Sequence, residues 1–288
     1  YNKEKALAKN GVQFVRKSET EVFDTVKNVL SYLPANNLQR AVDIEPDAMP
    51  AGFIGDNYNS VEELIEGVFD GGSILRLYEG KKRFLALGRL NGKSVAIVSN
   101  GDEEKGMCSG CCNRFARFVE TANCFNLPII TFANSRGMML DNAQEEKGLL
   151  RAASRLAFAY GQAVVPMISV IAGKAVGSGY VILSSKGIGN DFVFAMPDAF
   201  ISPVDEEAGI RLYYEDKMSG VDNVEAVKEQ LKKDYGNEIA SPFEAVKQGV
   251  IDDILMPNQL REKLTGALSV IVSKRDSMLP KKHGNMPL

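Results

Sequence analysis

The residues with the clearest chemical potential lie in one short segment, Ile171 to Tyr180, which is rich in glycine and other small residues. This segment carries the chain from the end of a predicted strand into the start of a predicted helix. Glycine permits backbone conformations that other residues avoid, and the first N–H groups of a helix have no internal partner. Such a turn can donate hydrogen bonds to an oxyanion, but the same glycines would also let a helix and a strand pack closely. The sequence alone leaves both interpretations open.

Two familiar kinds of site do not fit this segment. Ser178 lies between glycines, but a nucleophile elbow needs G-x-S-x-G, and Val176 and Tyr180 occupy the outer positions. The one histidine, His283, lies five residues from the C-terminal end and is a poor candidate for a catalytic base. The sequence also contains no dinucleotide fingerprint after a strand and no P-loop. What remains is a site of backbone donors, which suits an enolate or thioester oxyanion, and acyl-CoA substrates meet that requirement.

The cysteines form a second candidate site. Cys108, Cys111 and Cys112 lie in one compact run, and Cys124 follows further along the chain. A C-x2-C pair can begin a zinc site. A second such pair and histidines at zinc-finger spacing are absent from the sequence, however. We therefore expect no metal and interpret the cysteines as reduced thiols packed along a helix.

Composition argues against several classes of partner. The formal net charge is −3, so no polybasic surface is expected, and we predict no binding to nucleic acid. No apolar run reaches the roughly 18 residues that a transmembrane helix needs. The charged residues 1–9 lack the apolar segment of a signal peptide. These features predict a cytoplasmic protein.

The N-terminal part of the chain contains two predicted helices with an irregular connection between them. Ser18 and Ser60 each have a glutamate three residues later, the capping-box spacing that starts a helix. Pro34 ends the first helical pattern, and residues 34–59 are rich in Pro, Asn, Asp and Gly. The apolar residues of the first helix recur at helical intervals: Val22, Val26, Val29, Leu30 and Leu33.

From residue 83 onward, predicted strands and helices alternate, with Gly92 in a hairpin turn. Helices that separate short apolar strands indicate an α/β fold with a covered, largely parallel sheet. The predicted strands are Phe84–Leu90, Ser94–Ser99, Pro128–Phe132, Met167–Ile171, Phe192–Ala195 and Ala199–Ile201. The predicted helices are one with Phe115, Phe118, Val119 and Ala122 on one face, a long one from Asn142 to Ala163, a short one from Gly179 to Lys186, and a mostly helical tail from Glu206 to Lys274.

Several stretches together resemble the C-terminal half of the biotin-dependent acyl-CoA carboxyltransferases. They occur in the order and spacing of that family and cover nearly the whole chain, and their colinearity carries the resemblance. The matching stretches are Leu30–Asn37, Asp70–Ser73, Leu87–Asn100, Phe125–Phe132, Gln144–Glu145, Phe158–Tyr160, Gly173–Tyr180, Ala195–Pro197, Ser241–Phe243, Gly249–Asp253 and Lys281–Leu288.

The resemblance implies an α/β crotonase-like fold with repeated ββα units and flanking helices. Residues 1–59 would form an N-terminal helix and an irregular connection to a missing N-terminal half, and residues 60–288 the crotonase-like C-terminal domain. In the family, acyl-CoA is held mainly by the N-terminal half and biotin mainly by the C-terminal half. The implied partners are an N-terminal carboxyltransferase half or subunit, a biotin carboxyl carrier protein and a biotin carboxylase. The implied assembly is a homo- or hetero-oligomer, from dimer to hexamer.

The resemblance also implies a mechanism. Carboxybiotin releases CO2, the biotin anion removes the acyl α-proton, and the enolate attacks CO2. The cofactors would be biotin on a separate carrier protein and a coenzyme A thioester as substrate, without a metal. By position, the oxyanion hole falls on the backbone of Ser178 and Gly179. The implied pocket residues are Gly177, Tyr180, Val181, Gly137 and Lys174, of which Tyr180 and Val181 are equally consistent with simple core packing.

Three departures from the family pattern bear on this site. Residues 177–179 stand where two glycines and an alanine are usual, a change that preserves a backbone donor. Gly173 replaces an arginine that the family often has, which leaves Lys174 alone to meet a nearby carboxylate. Residues 134–141 replace a proline-and-glycine turn and keep one glycine of it, Gly137. Substrate preference therefore cannot be transferred across this loop.

Three alternative functions stay open. The carboxyltransferase subunit of a sodium-pumping acyl-CoA decarboxylase would use the same chemistry in reverse. A non-catalytic half could complete a carboxyltransferase ring. A free-standing crotonase-type hydratase or isomerase fits less well, because such enzymes use glutamates in the pocket and none lies within the segment from Gly173 to Tyr180.

Overall fold

The computed structural model describes residues 14–36, 38–45, 55–80, 83–101, 106–218, 224–274 and 284–287. The predictions about residues 1–9, His283 and part of the connection 34–59 lie outside these ranges. Within them, helices and strands alternate through most of the chain, as the sequence predicts.

The elements are numbered in chain order. The helices are α1 (Glu19–Ser31), α2 (Val61–Val68), α3 (Ser109–Cys124), α4 (Asn142–Glu146), α5 (Leu149–Gln162), α6 (Gly177–Ser184), α7 (Glu206–Met218), α8 (Val224–Glu238), α9 (Pro242–Lys247) and α10 (Leu260–Ile271). The strands are β1 (Leu75–Gly80), β2 (Arg83–Leu90), β3 (Lys93–Ser99), β4 (Ile129–Ser135), β5 (Met167–Val176), β6 (Phe192–Ala195), β7 (Phe200–Ser202) and β8 (Asp253–Ile254). Short 3₁₀ helices cover Lys186–Ile188 and Pro257–Gln259.

The described strands form one mixed sheet. Its order is β1-β2-β3-β4-β5-β6-β8, and β7 pairs with the end of β5. The pairs β1–β2 and β2–β3 are antiparallel, whereas the pairs from β3 onward are parallel. The β2–β3 hairpin turns at Asn91 and Gly92, whose φ angles of +50° and +78° are those a two-residue hairpin loop requires. The prediction of a largely parallel sheet is confirmed.

Both faces of the central strands are buried. Along β3, Ala96 and Val98 belong to the apolar cluster that includes α3 and α5. Val95 and Ile97 belong to the cluster on the opposite face, with α2 and α10. Because successive strand residues face opposite sides, a strand covered on both faces needs the continuous apolar sequence seen here. The two helical layers hold the carboxyl ends of these strands in fixed positions.

Helix α1 begins where the sequence predicts. The Ser18 hydroxyl accepts a hydrogen bond from the backbone N–H of Glu21 at 3.2 Å. Tyr32, just past the helix, is buried, and its hydroxyl donates to the carbonyl oxygen of Ser73. The C-terminal end of α1 is therefore anchored, while four apolar side chains further back remain exposed: Val22, Phe23, Val26 and Leu30.

Two predicted boundaries are wrong. The helical pattern from Asn142 to Ala163 is not one helix, because Gly148 adopts a φ of +70° and separates α4 from α5. Strand β5 extends to Val176 instead of Ile171, and α6 follows it directly. The small-residue segment is therefore mostly strand, and the helix begins earlier than predicted.

Strand β1 is absent from the sequence-based prediction. Its register against β2 shifts between Arg76 and Tyr78, which marks a β-bulge. Leu77 and Tyr78 consequently both pack against the same apolar cluster although they are adjacent in sequence. A bulge interrupts the two-residue alternation by which a half-buried strand is detected.

Candidate functional site

Polar side chains join the carboxyl ends of three neighbouring central strands. Asn100 follows β3, and Asn134 lies near the end of β4. The backbone N–H of Asn134 donates to Oδ1 of Asn100 at 2.7 Å, and the Asn100 amide donates to the Asn134 carbonyl oxygen. The backbone N–H of Lys174 on β5 donates to Oδ1 of Asn134 at 2.9 Å. Two amide side chains thus fix these strand ends beside the turn into α6.

The junction between β5 and α6 carries the predicted oxyanion donors. Gly177 opens the helix with a φ of +53°, a left-handed conformation that glycine adopts without strain. Val176, the N-cap residue, has no polar side chain to cap the helix. In a helix that begins here, the N–H groups of Ser178 and Gly179 precede the first intrahelical hydrogen bond. The partial positive charge of a helix N-terminus favours an anionic oxygen at this position.

A loop after β4 lies against this junction. The Ser135 hydroxyl accepts from the backbone N–H of Gly137 at 3.1 Å and donates to the carbonyl oxygen of Gly137 at 3.0 Å. A Cβ atom on Gly179 would lie 2.9 Å from the Ser135 Oγ and 3.1 Å from the Gly137 Cα. Glycine at 179 therefore permits the close approach of the two loops. The structure brings Gly137 together with the segment 177–179.

Lys174 is held at the edge of this site by an ion pair. Its Nζ lies 2.9 Å from Oε1 of Glu206 and 5.7 Å from the centroid of the Phe200 ring. Glu206, at the start of α7, is the nearby carboxylate that the sequence analysis anticipates for Lys174. The two side chains are 28% and 31% exposed, so the pair contributes at most about 1 kcal/mol to stability.

The absence of a side chain at 173 has a local cause. A Cβ atom on Gly173 would lie 2.6 Å from Oδ1 and 2.8 Å from Cγ of Asn134. The Asn134 side chain occupies the space that a larger residue at 173 would need. A larger side chain at 173, such as the arginine usual in the resembling family, would therefore require Asn134 to move.

Tyr180 and Val181 occupy different environments on the first turn of α6. Tyr180 is half-buried and packs against an apolar cluster that contains Ile171 and Ala175. Burial raises the pKa of its hydroxyl above the usual value, so the phenol stays protonated at neutral pH. Val181 is 50% exposed beside the turn. Tyr180 therefore serves at least in core packing, and Val181 presents an apolar surface to solvent.

Most of the groups that converge at the junction are uncharged. They are backbone N–H groups, the amides of Asn100 and Asn134 and the hydroxyl of Ser135, with the Lys174–Glu206 pair at the margin. Such a set can stabilise a negatively charged oxygen by preorganised hydrogen bonds. Among the described residues, this set is suited to charge stabilisation and not to removal of a proton.

The family to which the chain belongs is decided by comparison with known proteins. The profile of the carboxyl transferase domain family matches residues 2–286. The chain belongs to this carboxyl transferase family. It is 31% identical over 290 residues to the propionyl-CoA carboxylase carboxyltransferase subunit of Haloferax mediterranei, across 96% of this chain and 56% of that relative. It is 28% identical to the methylmalonyl-CoA decarboxylase subunit alpha of Propionigenium modestum, again across 96% and 56%.

The carboxyl transferase fold is also evident in three dimensions. The structure is similar to that of transcarboxylase 12S, described as a hexamer assembly with methylmalonyl-coenzyme A and methylmalonic acid bound. The TM-score is 0.86 at 26% sequence identity, over 97% of this chain and 56% of that chain. The predicted α/β crotonase-like fold is confirmed. The chain spans just over half the length of the curated relatives it matches, at 56% for both relatives named above.

Four residues at the site were missed in the sequence analysis: Asn100, Asn134, Ser135 and Glu206. The first three follow or end predicted apolar strands, and the carboxyl ends of parallel strands meet at one edge of a sheet. Polar residues at the predicted strand ends could therefore have indicated a site. Glu206 gave a weaker one, because a carboxylate in the first turn of a helix is common in any protein.

The cysteines of this carboxyl transferase chain are free thiols. Cys111 and Cys112 are buried along α3, as the sequence predicts, whereas Cys124 is exposed. Among the described residues, no group of three His, Cys, Asp or Glu side chains is placed to hold a metal ion.

The helices of the structure bear on whether the chain could cross a membrane. Within the ranges that the structure covers, no helix has both the length and the apolar character to cross a membrane. The cytoplasmic location and the absence of nucleic-acid binding stay predictions from composition.

Proposed function

We propose that this chain is the C-terminal component of a biotin-dependent carboxyltransferase, which moves a carboxyl group between carboxybiotin and a short acyl-CoA such as acetyl- or propionyl-CoA. The observation that carries the proposal is the pair of backbone N–H groups at Ser178 and Gly179. They begin α6 without a side-chain cap and lie against the Gly137 loop. Membership of the carboxyl transferase family supports the same reaction.

The residues at this junction fit a biotin-like group. The donors are main-chain N–H groups, which hydrogen-bond a carbonyl oxygen whether it is neutral or anionic. Glycine at 179 lets the Ser135–Gly137 loop pack against the donors, since a Cβ atom there would lie 2.9 Å from the Ser135 Oγ. In this assignment Gly177, Tyr180 and Val181 line the pocket, and Lys174 lies at its edge.

The chain's part in the mechanism is electrostatic. When bound, carboxybiotin supplies the carboxyl group and then the base that removes the acyl α-proton. The N–H groups of Ser178 and Gly179 donate to the oxygen on which negative charge develops. Because they are fixed before the reaction, they need no reorganisation as the charge appears. Two hydrogen bonds hold the loop after β4 and the turn into α6 in place: the Lys174 N–H donates to Asn134, and the Gly137 N–H donates to Ser135.

The proposed partners follow from the relatives. The chain matches 56% of the propionyl-CoA carboxylase subunit, and we infer that an N-terminal carboxyltransferase half, in the same or another polypeptide, holds acyl-CoA. Residues 1–59 would connect to it, and residues 60–288 would form the C-terminal domain. A biotin carboxyl carrier protein would present biotin, and a biotin carboxylase would charge it. The assembly would be an oligomer, and the exposed apolar stripe of α1 is available for its contacts.

Reconstitution of carboxyl transfer tests this proposal. The chain, assembled with a matching N-terminal half, is supplied in separate reactions with malonyl-CoA or methylmalonyl-CoA, each carrying a labelled carboxyl group, and with a biotinylated carrier. We expect label on the carrier. Gly179→Pro removes one donor and also places ring atoms against Ser135 and Gly137, and we expect transfer to fall by at least roughly 10²- to 10³-fold. A complex that is folded and assembled but transfers no carboxyl group would contradict the proposal.

The control variant substitutes a glycine elsewhere in the chain. A Cβ atom on Gly161, in α5, meets no atom within 4 Å, so Gly161→Ala should leave transfer unchanged. Circular dichroism and thermal unfolding establish that each variant is folded. If Gly179→Pro assembles normally and transfers at the original rate, the chain is a structural half that only completes a ring.

A second candidate function is the same chemistry run towards decarboxylation. The observation in its favour is the 28% identity to the methylmalonyl-CoA decarboxylase subunit alpha of Propionigenium modestum. Purification of the native complex distinguishes the two. Co-purification with a biotin carboxylase favours the carboxylase, and co-purification with an integral membrane subunit favours a sodium-pumping decarboxylase.

A further inference from the structure

Two cysteines face each other at the N-terminus of α3, directly after Met107, whose backbone N–H donates to the Gly137 carbonyl oxygen at 2.8 Å. Cys108 is the N-cap residue, and Cys111 lies three residues later in the first turn. Their Sγ atoms are 2.9 Å apart. A disulfide bond is about 2.05 Å long, so bond formation needs a movement of less than about 1 Å. The two sulfur atoms are therefore close enough for a small movement to bring them to bonding distance.

The first turn that carries this pair is firmly held. The Cys108 Sγ accepts from the backbone N–H of Cys111 at 3.3 Å. Oε1 of Gln144 accepts from the backbone N–H and the hydroxyl of Ser109, at 2.9 Å and 3.1 Å. The Nη1 of Arg83 donates to the Cys111 Sγ at 2.9 Å. These contacts preserve the mutual position of the two thiols.

The two thiols differ in ionisation. Burial opposes ionisation of Cys108, but hydrogen bonds from the Cys111 thiol and two backbone N–H groups, with the charge of Arg83, lower its pKa below the usual value. Burial and the hydrogen bond with Cys108 raise the pKa of Cys111. Burial, with the neighbouring thiols, also raises the pKa of Cys112 to about 12. Cys108 is thus the thiol of the three most readily converted to the nucleophilic thiolate.

The two thiols also differ in access. Cys108 is partly exposed, whereas Cys111 is buried. Cys112 is buried as well, and its Sγ lies 3.8 Å from the Sδ of Met138. A reagent in solution therefore reaches Cys108 first, and Cys111 is the thiol next to any adduct formed there.

We propose that Cys108 and Cys111 are a reversible dithiol–disulfide site, oxidised by exchange with a small-molecule disulfide such as oxidised glutathione. In this role Cys108 attacks and Cys111 resolves. The argument for this site does not rest on the proposed carboxyl transfer, and its test needs no carboxyl-transfer assay.

The exchange proceeds in two balanced steps. First, the Cys108 thiolate attacks one sulfur of oxidised glutathione, so that the glutathione S–S bond breaks and one glutathione thiolate leaves. Second, Cys111 loses its proton to solvent and attacks the Cys108 sulfur, releasing the second glutathione thiolate. Overall, two protein thiols are oxidised to one disulfide and one glutathione disulfide is reduced to two thiols.

The test titrates the full chain with mixtures of oxidised and reduced glutathione, followed by acid quenching, alkylation and peptide mass spectrometry. Cys108 and Cys111 should both lose their free thiols and be joined to each other, while any glutathione adduct on the exposed Cys124 is identified separately from its own peptide. Excess dithiothreitol should restore all four thiols. Cys124→Ser is the matched control, because this exposed cysteine lies at the other end of α3, and the variant should form the same disulfide.

Two further variants separate the roles of the pair. Cys111→Ser should accumulate a mixed disulfide of glutathione on Cys108, because the resolving thiol is gone. Cys108→Ser should leave Cys111 unmodified. The proposal is overturned if the thiols of Cys108 and Cys111 persist in oxidised glutathione, or if Cys111→Ser accumulates no adduct on Cys108. It is also overturned if elemental analysis finds a stoichiometric metal that protects the pair until a chelator is added, which would make the site a metal ligand set.

Discussion

The Asn134 side chain and Gly173 share one space between the ends of β4 and β5. The Asn134 amide oxygen accepts the Lys174 N–H at 2.9 Å, and a Cβ atom at 173 would come within 2.6 Å of the same oxygen. Each residue thus limits the size of the side chain that the other position can hold. At the scale of single residues, the site is shaped by pairs that are far apart in sequence.

A double-mutant cycle measures this coupling. Gly173→Ala should destabilise the fold by about 1–3 kcal/mol through overpacking. Asn134→Ala should cost about 1 kcal/mol through the lost hydrogen bond. The double variant should cost about 1 kcal/mol less than the sum, because the new methyl group enters the space that Asn134 vacates. Urea unfolding followed by circular dichroism gives the three free energies of unfolding.

Gly266→Ala is the control for this cycle. It adds a methyl group on α10, where no atom lies within 4 Å, and should stabilise the fold by about 0.5–1 kcal/mol. Strict additivity of Gly173→Ala and Asn134→Ala would contradict the shared space.

The sequence predicts the glycine-rich junction but not the amides around it. The junction is a local signal, since small residues at a strand end and a helix start are adjacent in the chain. Asn100 and Asn134 meet only through the parallel register of β3 and β4, in which Ser99 pairs with Phe132. That register depends on contacts across the whole sheet, and no local pattern encodes it.

The Asp70 carboxylate joins three elements. It accepts the N–H groups of Asn91 and Gly92 in the β2–β3 turn, at 3.0 Å and 2.7 Å, and follows shortly after α2. Arg261 of α10 lies 2.7 Å from the same carboxylate. Asp70 is only 6% exposed. If its carboxylate were removed, little water could reach these donors to accept their hydrogen bonds.

Replacement of Asp70 should therefore be costly. Asp70→Ala leaves two backbone donors and a guanidinium without their acceptor, and we expect a loss of about 3 kcal/mol in the free energy of unfolding. Asp43→Ala is the comparison, since its carboxylate is 61% exposed and pairs with Lys93. That change should cost about 0.5 kcal/mol or less. Equal effects of the two substitutions would show that Asp70 does not join these elements.

At the scale of secondary-structure elements, the sequence predicts the helices and strands whose apolar residues recur at a regular spacing. Helix α3 and the β2–β3 hairpin were predicted because their apolar spacing and turn residues are uninterrupted. Strand β1 was missed because of its bulge, and α4 and α5 were merged because the helical spacing continues across Gly148. Only the backbone conformation at Gly148 separates the two helices.

The whole fold buries the hydroxyl of Tyr160 between the sheet and its helical layer. Tyr160 of α5 is fully buried, and its hydroxyl lies 2.8 Å from the Thr131 hydroxyl of β4. Burial raises the pKa of Tyr160 well above the usual value of about 10 for a tyrosine. The folded state therefore keeps this phenol protonated in a pH range where the unfolded chain releases the proton.

This difference gives stability a defined dependence on pH. Above about pH 10 the unfolded state binds fewer protons than the folded state, so stability falls as pH rises, by up to about 1.4 kcal/mol per pH unit from this group. Tyr160→Phe should cost about 1 kcal/mol at neutral pH through the lost hydrogen bond. The same variant should lose stability less steeply above about pH 10. Urea unfolding at a series of pH values measures both slopes, and identical slopes would contradict the prediction.

At the scale of the whole molecule, the class of fold was predictable and its strand order was not. Alternating apolar strands and helices indicate a covered parallel sheet regardless of order. The pairing of β7 with the end of β5, and of β8 with β6, joins segments separated by helices. Likewise, the amphipathic pattern of α1 predicts a helix but not what covers its apolar stripe.

The bulge in β1 has a consequence for how copies of the chain meet one another. A regular edge strand presents unpaired backbone groups that can template a strand from a neighbouring molecule. Here the shifted register at residues 76–78 disrupts one border of the sheet, and β8, only two residues long, ends the other. In concentrated protein, edge-to-edge strand pairing between molecules is thus disfavoured, and association is directed to helical surfaces instead.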